Sequence, residues 1–263
     1  MQTQKVIDHI IEWLKDYAKK ANAKGYIIGV SGGVDSGVVS TLCAMTGLKT
    51  VVIEMPIRQQ KDQISRALEQ IDFLKENFTN VEGFTVDLNA PFEALHDIFD
   101  VKDDEFPNEK LAFANTRSRL RMLTLYYYGQ INGLLVCGTG NKVEDFGIGF
   151  YTKYGDGGVD VSPIADLYKT EVYELAKALN LPESIKNAIP TDGLWDVDRT
   201  DEQQIGATYP ELEKIQKEYG TKTADDYEGR DKKVFIIFDR MHKAAKHKMV
   251  PIPVCDINEE WRN

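Results

Sequence analysis

Gly29-Val30-Ser31-Gly32-Gly33-Val34-Asp35-Ser36 is the stretch best suited to chemistry. It follows a short apolar run and opens a helical pattern. Its glycines let the backbone turn tightly and come close to a ligand. Free amides at a helix start hold phosphate, and the Ser31 and Ser36 hydroxyls add donors. Asp35 would repel a bare phosphate, so its carboxylate points to a cation. The run is neither G-x-G-x-x-G nor the lysine-containing phosphate loop. That counts against a dehydrogenase and against an ordinary phosphate-loop ATPase.

Further polar blocks follow along the chain. Arg119 lies in the helical stretch Asn115-Thr116-Arg117-Ser118-Arg119-Leu120-Arg121. Thr139 lies in Gly138-Thr139-Gly140-Asn141-Lys142, after a strand and just before Glu144. Lys153 opens Lys153-Tyr154-Gly155-Asp156-Gly157-Gly158, with Asp160 and Lys169 beyond it. Thr191 and Trp195 occupy an Asp-, Gly- and Thr-rich segment, and His247-Lys248 lies near the end. Each residue type also has a structural use. Asp35 suits a helix cap, and Arg119 a helix-surface ion pair for which Arg117 and Arg121 compete. Glu144 and Asp160 suit turn acceptors, and Thr139 and Thr191 turn or cap hydroxyls. Lys169 could complement glutamates on its own helix. Lys153, His247 and Lys248 suit solvated surface, and Trp195 suits packing.

The elements that must carry these blocks alternate. Apolar spacing predicts helices over 6–21, 37–46, 60–77, 111–128 and 169–179. Continuous apolar runs predict strands over 26–30, 49–55, 84–88 and 134–137. Strands that are apolar on both faces fit a parallel sheet covered on both sides. The expected class is α/β, a three-layer sandwich with a mostly parallel, Rossmann-like central sheet, and the expected organisation is one domain over 1–263. Segments 98–108 and 190–209 break the rhythm and read as solvated loops or as lids. Segments 201–208 and 218–233 are the ones expected to close over a ligand.

Composition narrows the partners. The chain has 263 residues and 42% hydrophobic content, with a formal net charge of -10. That balance argues against nucleic acid, whose binding draws on phosphate neutralisation. A small anionic ligand remains compatible, since a local site can oppose the global charge. No apolar run is long enough for a membrane span, and residues 1–20 lack the apolar core of a signal peptide. The expected location is the cytoplasm. Cys43, Cys137 and Cys255 lie far apart, form no metal-spacing pair, and read as small buried hydrophobes.

The 29–36 block resembles the pyrophosphate-binding loop of ATP pyrophosphatases, and the ordered series of later blocks resembles the ammonia-dependent NAD synthetase family over nearly the whole chain. This resemblance implies the adenine nucleotide alpha-hydrolase-like fold and a carbon–nitrogen ligase that amidates deamido-NAD to NAD through an adenylate, releasing AMP and pyrophosphate. It implies that residues Gly29 to Ser36 hold ATP together with Thr139, Lys169 and Thr191. Asp35 and Glu144 would bind Mg2+, and Arg119, Lys153, Asp160, His247 and Lys248 would handle deamido-NAD. Asp35, Lys169 and Asp160 are the expected catalytic residues; Asp160 could approach the incoming ammonium. A homodimer is implied as well, with 111–128 as a candidate contact helix through Met122, Leu125, Tyr126 and Tyr127. Between Glu144 and Lys153 the chain is one residue longer than the commonest bacterial spacing. Only about 25 residues precede the first strand, which leaves no room for a glutaminase domain and makes free ammonia the expected nitrogen donor. Two alternatives account for less of this series: another ATP pyrophosphatase-type amidotransferase, and a nucleotide-binding regulatory module without chemistry.

Overall fold

A computed structural model describes residues 1–99, 108–190 and 200–262. Four parallel strands form one sheet: β1 (Gly25–Gly29), β2 (Lys49–Glu54), β3 (Val81–Thr85) and the short β4 (Leu135–Val136), in the order β3-β2-β1-β4. Along the two central strands, side chains are dealt alternately to two faces, as the pleat requires. Tyr26, Ile28 and Val52 enter one core. Ile27, Val51 and Ile53 enter the other. Both cores are apolar, so the strands read as unbroken hydrophobic runs.

The first core is closed by α1 (Thr3–Lys20), α2 (Val34–Met45), α3 (Lys61–Asn77) and, further on, α6 (Lys169–Ala178) and α7 (Glu183–Lys186). In α1 the buried set is Ile7, Ile10, Ile11, Leu14 and Ala18, a stripe at helical spacing. In α2 every residue from Ser36 to Ala44 is buried, so this helix has no solvent face for a pattern to show. The opposite core lies under α4 (Asn89–Phe99) and α5 (Glu109–Asn132). Gly133 ends α5 at φ 69°, in the left-handed region that favours glycine at a helix end.

A third apolar cluster joins a π-helix (Lys142–Ile148) to α8 (Asp201–Ile205), α9 (Tyr209–Glu218) and α10 (Gly229–Met249). Segments 201–208 and 218–233, expected to close over a ligand, are packed into this cluster. Ile205 and Ala207 are buried in the first segment and Tyr227 in the second, so both are anchored by packed side chains.

Three smaller corrections follow. The third strand starts at Val81 rather than at residue 84, and α4 occupies the segment after it. Cys43 and Cys137 are buried as expected, but Cys255 is exposed. On α5, Met122 and Leu125 line a cleft, whereas Tyr127 faces outward with Leu123 and Ile131. Among the described residues no helix is long and apolar enough to cross a membrane.

Candidate active site

The strand ends place a cleft of about 270 Å³ over the C-terminal side of the sheet. Its floor is the loop between β1 and α2. Gly32 there has φ 79°, and a Cβ built on it would lie 2.7 Å from the Gln63 carbonyl. Only glycine suits that position, on conformation and on space alike. Ser36 is buried and shapes the loop from behind. Its hydroxyl accepts from the Ser31 amide at 3.2 Å, lies 3.1 Å from Ser31 Oγ and donates to the Gly33 carbonyl at 3.0 Å. Gly29, Val30, Ser31, Gly32, Gly33, Val34 and Asp35 all face the cleft, whereas Ser36 does not.

Asp35 stands in the first turn of α2, where the helix start favours a carboxylate. Lys169 reaches it from the first turn of α6. Lys169 Nζ donates to Asp35 Oδ2 at 2.5 Å and to Glu144 Oε1 at 3.0 Å. All three side chains are mostly buried, at 4% exposure for Lys169, 17% for Asp35 and 16% for Glu144. Burial pushes Asp35 above the usual carboxylate range, an effect that Lys169 opposes and Glu144 reinforces. Burial also acts to raise Glu144, but Lys169 and the hydrogen bonds it accepts bring it below the usual range. Burial works against the Lys169 ammonium, yet the two carboxylates hold its pKa above the ordinary lysine value. The lysine is therefore charged at neutral pH.

Glu144 sits inside the π-helix, which takes in one residue more per turn than an α-helix. Asn141, fully buried, fixes its start: its Oδ1 accepts from the Val143 and Glu144 amides at 3.1 Å each. Its Nδ2 donates to Asp35 Oδ1 at 3.3 Å, so one amide side chain ties both carboxylates into register.

Tyr209 completes this arrangement and was not singled out in the sequence. Its hydroxyl donates to Glu144 Oε1 at 2.5 Å and lies 3.2 Å from Asp201 Oδ2. Burial, with the charges of Glu144 and Asp201, pushes the phenol far above its ordinary value, so it stays protonated. No motif marks Tyr209, because its role depends on the packing of α9 against the π-helix. Arg66 and Glu54 also line the cleft, unforeseen in the sequence, and Arg121 and the expected Thr139 line it too.

The residues expected to handle the second substrate fall into a separate group, none of which lines the cleft. Arg119 Nη2 donates to the Lys153 carbonyl at 3.4 Å, and Lys153 Nζ donates to the His247 carbonyl at 3.0 Å. Lys248 Nζ donates to the carbonyls of Gly149 and, at 2.6 Å, Tyr151. Thus α5, the 151–160 loop and the end of α10 are joined through these side chains. Asp160 behaves differently from its expected catalytic role. It accepts from the Val136 amide at 2.8 Å and from the Tyr126 hydroxyl at 3.1 Å, bracing β4 from outside the cleft. Thr191 and Trp195 lie outside the described residues.

The donor set suits Mg2+. That ion is commonly held by one or two carboxylates together with substrate phosphates. Asp35 and Glu144 come together on the Lys169 ammonium, beside the amides of the glycine-rich loop. Among the described residues no cluster of three or more metal-ligating side chains occurs, so phosphate oxygens and water would complete the shell.

The chain matches the NAD synthase family profile over residues 6–251. It is 38% identical over 252 residues to the NH(3)-dependent NAD(+) synthetase of Mesoplasma florum, covering 94% of this chain and 95% of that one. Among solved structures, NMN synthetase from Francisella tularensis superposes with TM-score 0.85 at 30% identity, over 98% of this chain and 100% of that one. NH3-dependent NAD synthetase from Campylobacter jejuni superposes with TM-score 0.77 at 25% identity, over 97% and 100%.

Proposed function

The chain belongs to the NAD synthase family and is an ammonia-dependent NAD synthetase, and we propose that its cleft is where ATP and deamido-NAD react. One observation carries this reading: a buried lysine, two carboxylates and a glycine-rich amide loop converge on a single wall. A carboxylate is a poor acyl donor because its leaving group would be oxide. Attack of the nicotinate carboxylate on the α-phosphorus of ATP breaks the bond to the bridging oxygen and expels pyrophosphate. Ammonia then attacks the activated carbonyl, and AMP departs.

The Gly32 and Gly33 amides and the Lys169 ammonium stabilise charge growing on the leaving group. Their positions are fixed beforehand by Ser36, Asn141 and Tyr209, so little reorganisation is needed. Mg2+ held by Asp35 and Glu144 would neutralise phosphate charge when bound. Arg119, Lys153, His247 and Lys248 form the substrate-binding group for deamido-NAD. Asp160 positions β4 and is not assigned a proton transfer. The whole chain, 1–263, acts as one catalytic unit. The outer face of α5, where Leu123, Tyr127 and Ile131 are each about three-fifths exposed, meets a second copy in a homodimer. Sedimentation at several protein concentrations tests that contact.

Purified protein with magnesium, ATP, deamido-NAD and ammonium should give NAD, AMP and pyrophosphate in equal amounts. Formation of ADP, or no NAD at any protein concentration, would overturn the reading. The likeness to an NMN synthetase supports a second substrate assignment, in which the deamidated mononucleotide is amidated. Running both nicotinate nucleotides side by side decides which has the higher kcat/KM.

A further inference from the structure

We propose that Arg66, on α3, is the residue that binds the departing pyrophosphate. This rests on the cleft being the ATP site. Pyrophosphate leaves with several negative charges, and backbone amides alone supply only partial ones. Five carboxylates and three basic side chains line the cleft among the described residues. The other two bases leave much of that charge unmet. Lys169 is shared between Asp35 and Glu144. Arg121 points toward the end of β2, donating to the Met55 carbonyl at 3.0 Å and to Gln59 Oε1 at 2.8 Å.

Arg66 is placed against the phosphate loop itself. Its Nε donates to the Gly32 carbonyl at 3.3 Å. Close approach of α3 to the loop is built into the sequence, because a Cβ at residue 32 would lie 2.9 Å from Arg66 Cβ. The Arg66 side chain is one-fifth exposed, whereas that of its ion-pair partner Asp62, at 2.7 Å, is three-fifths exposed. An exposed pair of this kind is weak, so the arginine can give part of its donor fork to a ligand at little cost. A planar fork of N–H donors matches the oxygens of a diphosphate.

The step balances without any proton from Arg66. The nicotinate oxygen forms a bond to the α-phosphorus, the bridging oxygen leaves with its electron pair, and the guanidinium donates hydrogen bonds to pyrophosphate oxygens. Arg66 thereby favours the leaving group more than intact ATP, because the charge it meets grows as the bond breaks.

The test uses inorganic pyrophosphate, both as a product inhibitor and in direct calorimetric titration with magnesium present. Arg66→Ala should raise the pyrophosphate inhibition constant about tenfold and weaken direct binding by a similar factor. It should lower kcat for NAD formation while KM for deamido-NAD stays within about twofold, and Arg66→Lys should recover part of the loss. Inhibition by AMP serves as the control and should stay within about twofold. Unchanged pyrophosphate inhibition and binding in a folded Arg66→Ala protein would overturn the proposal. If Arg66→Ala fails to fold, Arg66→Lys and Arg66→Gln carry the same comparison, with thermal melting as the folding check. Calorimetry separates the two readings. A wild type that binds pyrophosphate through Arg66 but makes no NAD defeats the functional reading alone. A wild type that makes NAD with binding indifferent to Arg66 defeats this proposal alone.

Discussion

Lys169 and Asp35 are 134 positions apart in the chain, and their side chains meet at 2.5 Å where α2 and α6 begin. Two helix starts thus meet on one wall of the cleft, one bringing an anion and the other a cation. Glu144 shares the same ammonium from the π-helix. The triad couples the sheet-covering helices to the α8–α10 cluster, so the site and the fold depend on one another.

Removing the lysine should therefore cost both. Lys169→Met leaves two buried carboxylates without their common partner, a loss of about 3–5 kcal/mol. Denaturant unfolding should show that drop, and NAD formation should fall below detection. Adding Glu144→Gln to Lys169→Met should restore part of the stability and none of the activity. A Lys169→Met protein as stable as wild type would mean that the triad is solvated rather than buried.

Much of this arrangement was legible in the sequence. The strands showed as continuous apolar runs because both sheet faces are covered, and the 29–36 loop showed through its glycines. Asp35, Glu144 and Lys169 were singled out separately, and the fold brings them together. Tyr209 and Asn141 were not distinguished, because a buried tyrosine or asparagine carries no spacing signal. Their value lies in tertiary hydrogen bonds to Glu144 and Asp35. Arg66 and Glu54 were missed for a related reason. Each belongs to an ordinary helix or strand, and only the approach of that element to the loop brings it to the cleft.

Tyr209→Phe isolates one of the missed contacts. The change keeps the ring in its apolar cluster and removes the hydroxyl that donates to Glu144. Stability should fall by about 1–2 kcal/mol. Glu144 would then rely on Lys169 and Asn141, and kcat should fall about fivefold, with KM for deamido-NAD changed less than kcat. Equal kinetics in mutant and wild type would show that Tyr209 supports packing only.

Gly32→Ala tests the loop. Alanine disfavours φ 79°, and its methyl would press on the Gln63 carbonyl. The backbone must move away from α3, at about 1–2 kcal/mol for the left-handed conformation alone. Thermal melting should fall, and KM for ATP should rise more than KM for deamido-NAD. Equal effects on both KM values would point to general unfolding instead of a loss of phosphate binding.

Glu54 gives the pH dependence. It ends β2 facing the cleft, 3% exposed, and its Oε2 has no hydrogen-bond partner. Burial pushes its carboxyl above the usual range, and neither a hydrogen bond with Thr85 nor the charge of Arg121 fully offsets that. The folded state then holds this proton more tightly than the unfolded chain does. Between the ordinary carboxylate pKa and the raised one, the folded state binds more protons, so stability falls as pH rises. Above the raised value the whole penalty is felt. Glu54→Gln cannot ionise and escapes it. The mutant should melt above wild type at about pH 8, and the gap should close as pH approaches about 4, where Glu54 is mostly protonated in the folded and unfolded states alike. A mutant less stable than wild type at the higher pH would show that attraction to Arg121 outweighs the cost of burial, reversing the sign assigned to this residue.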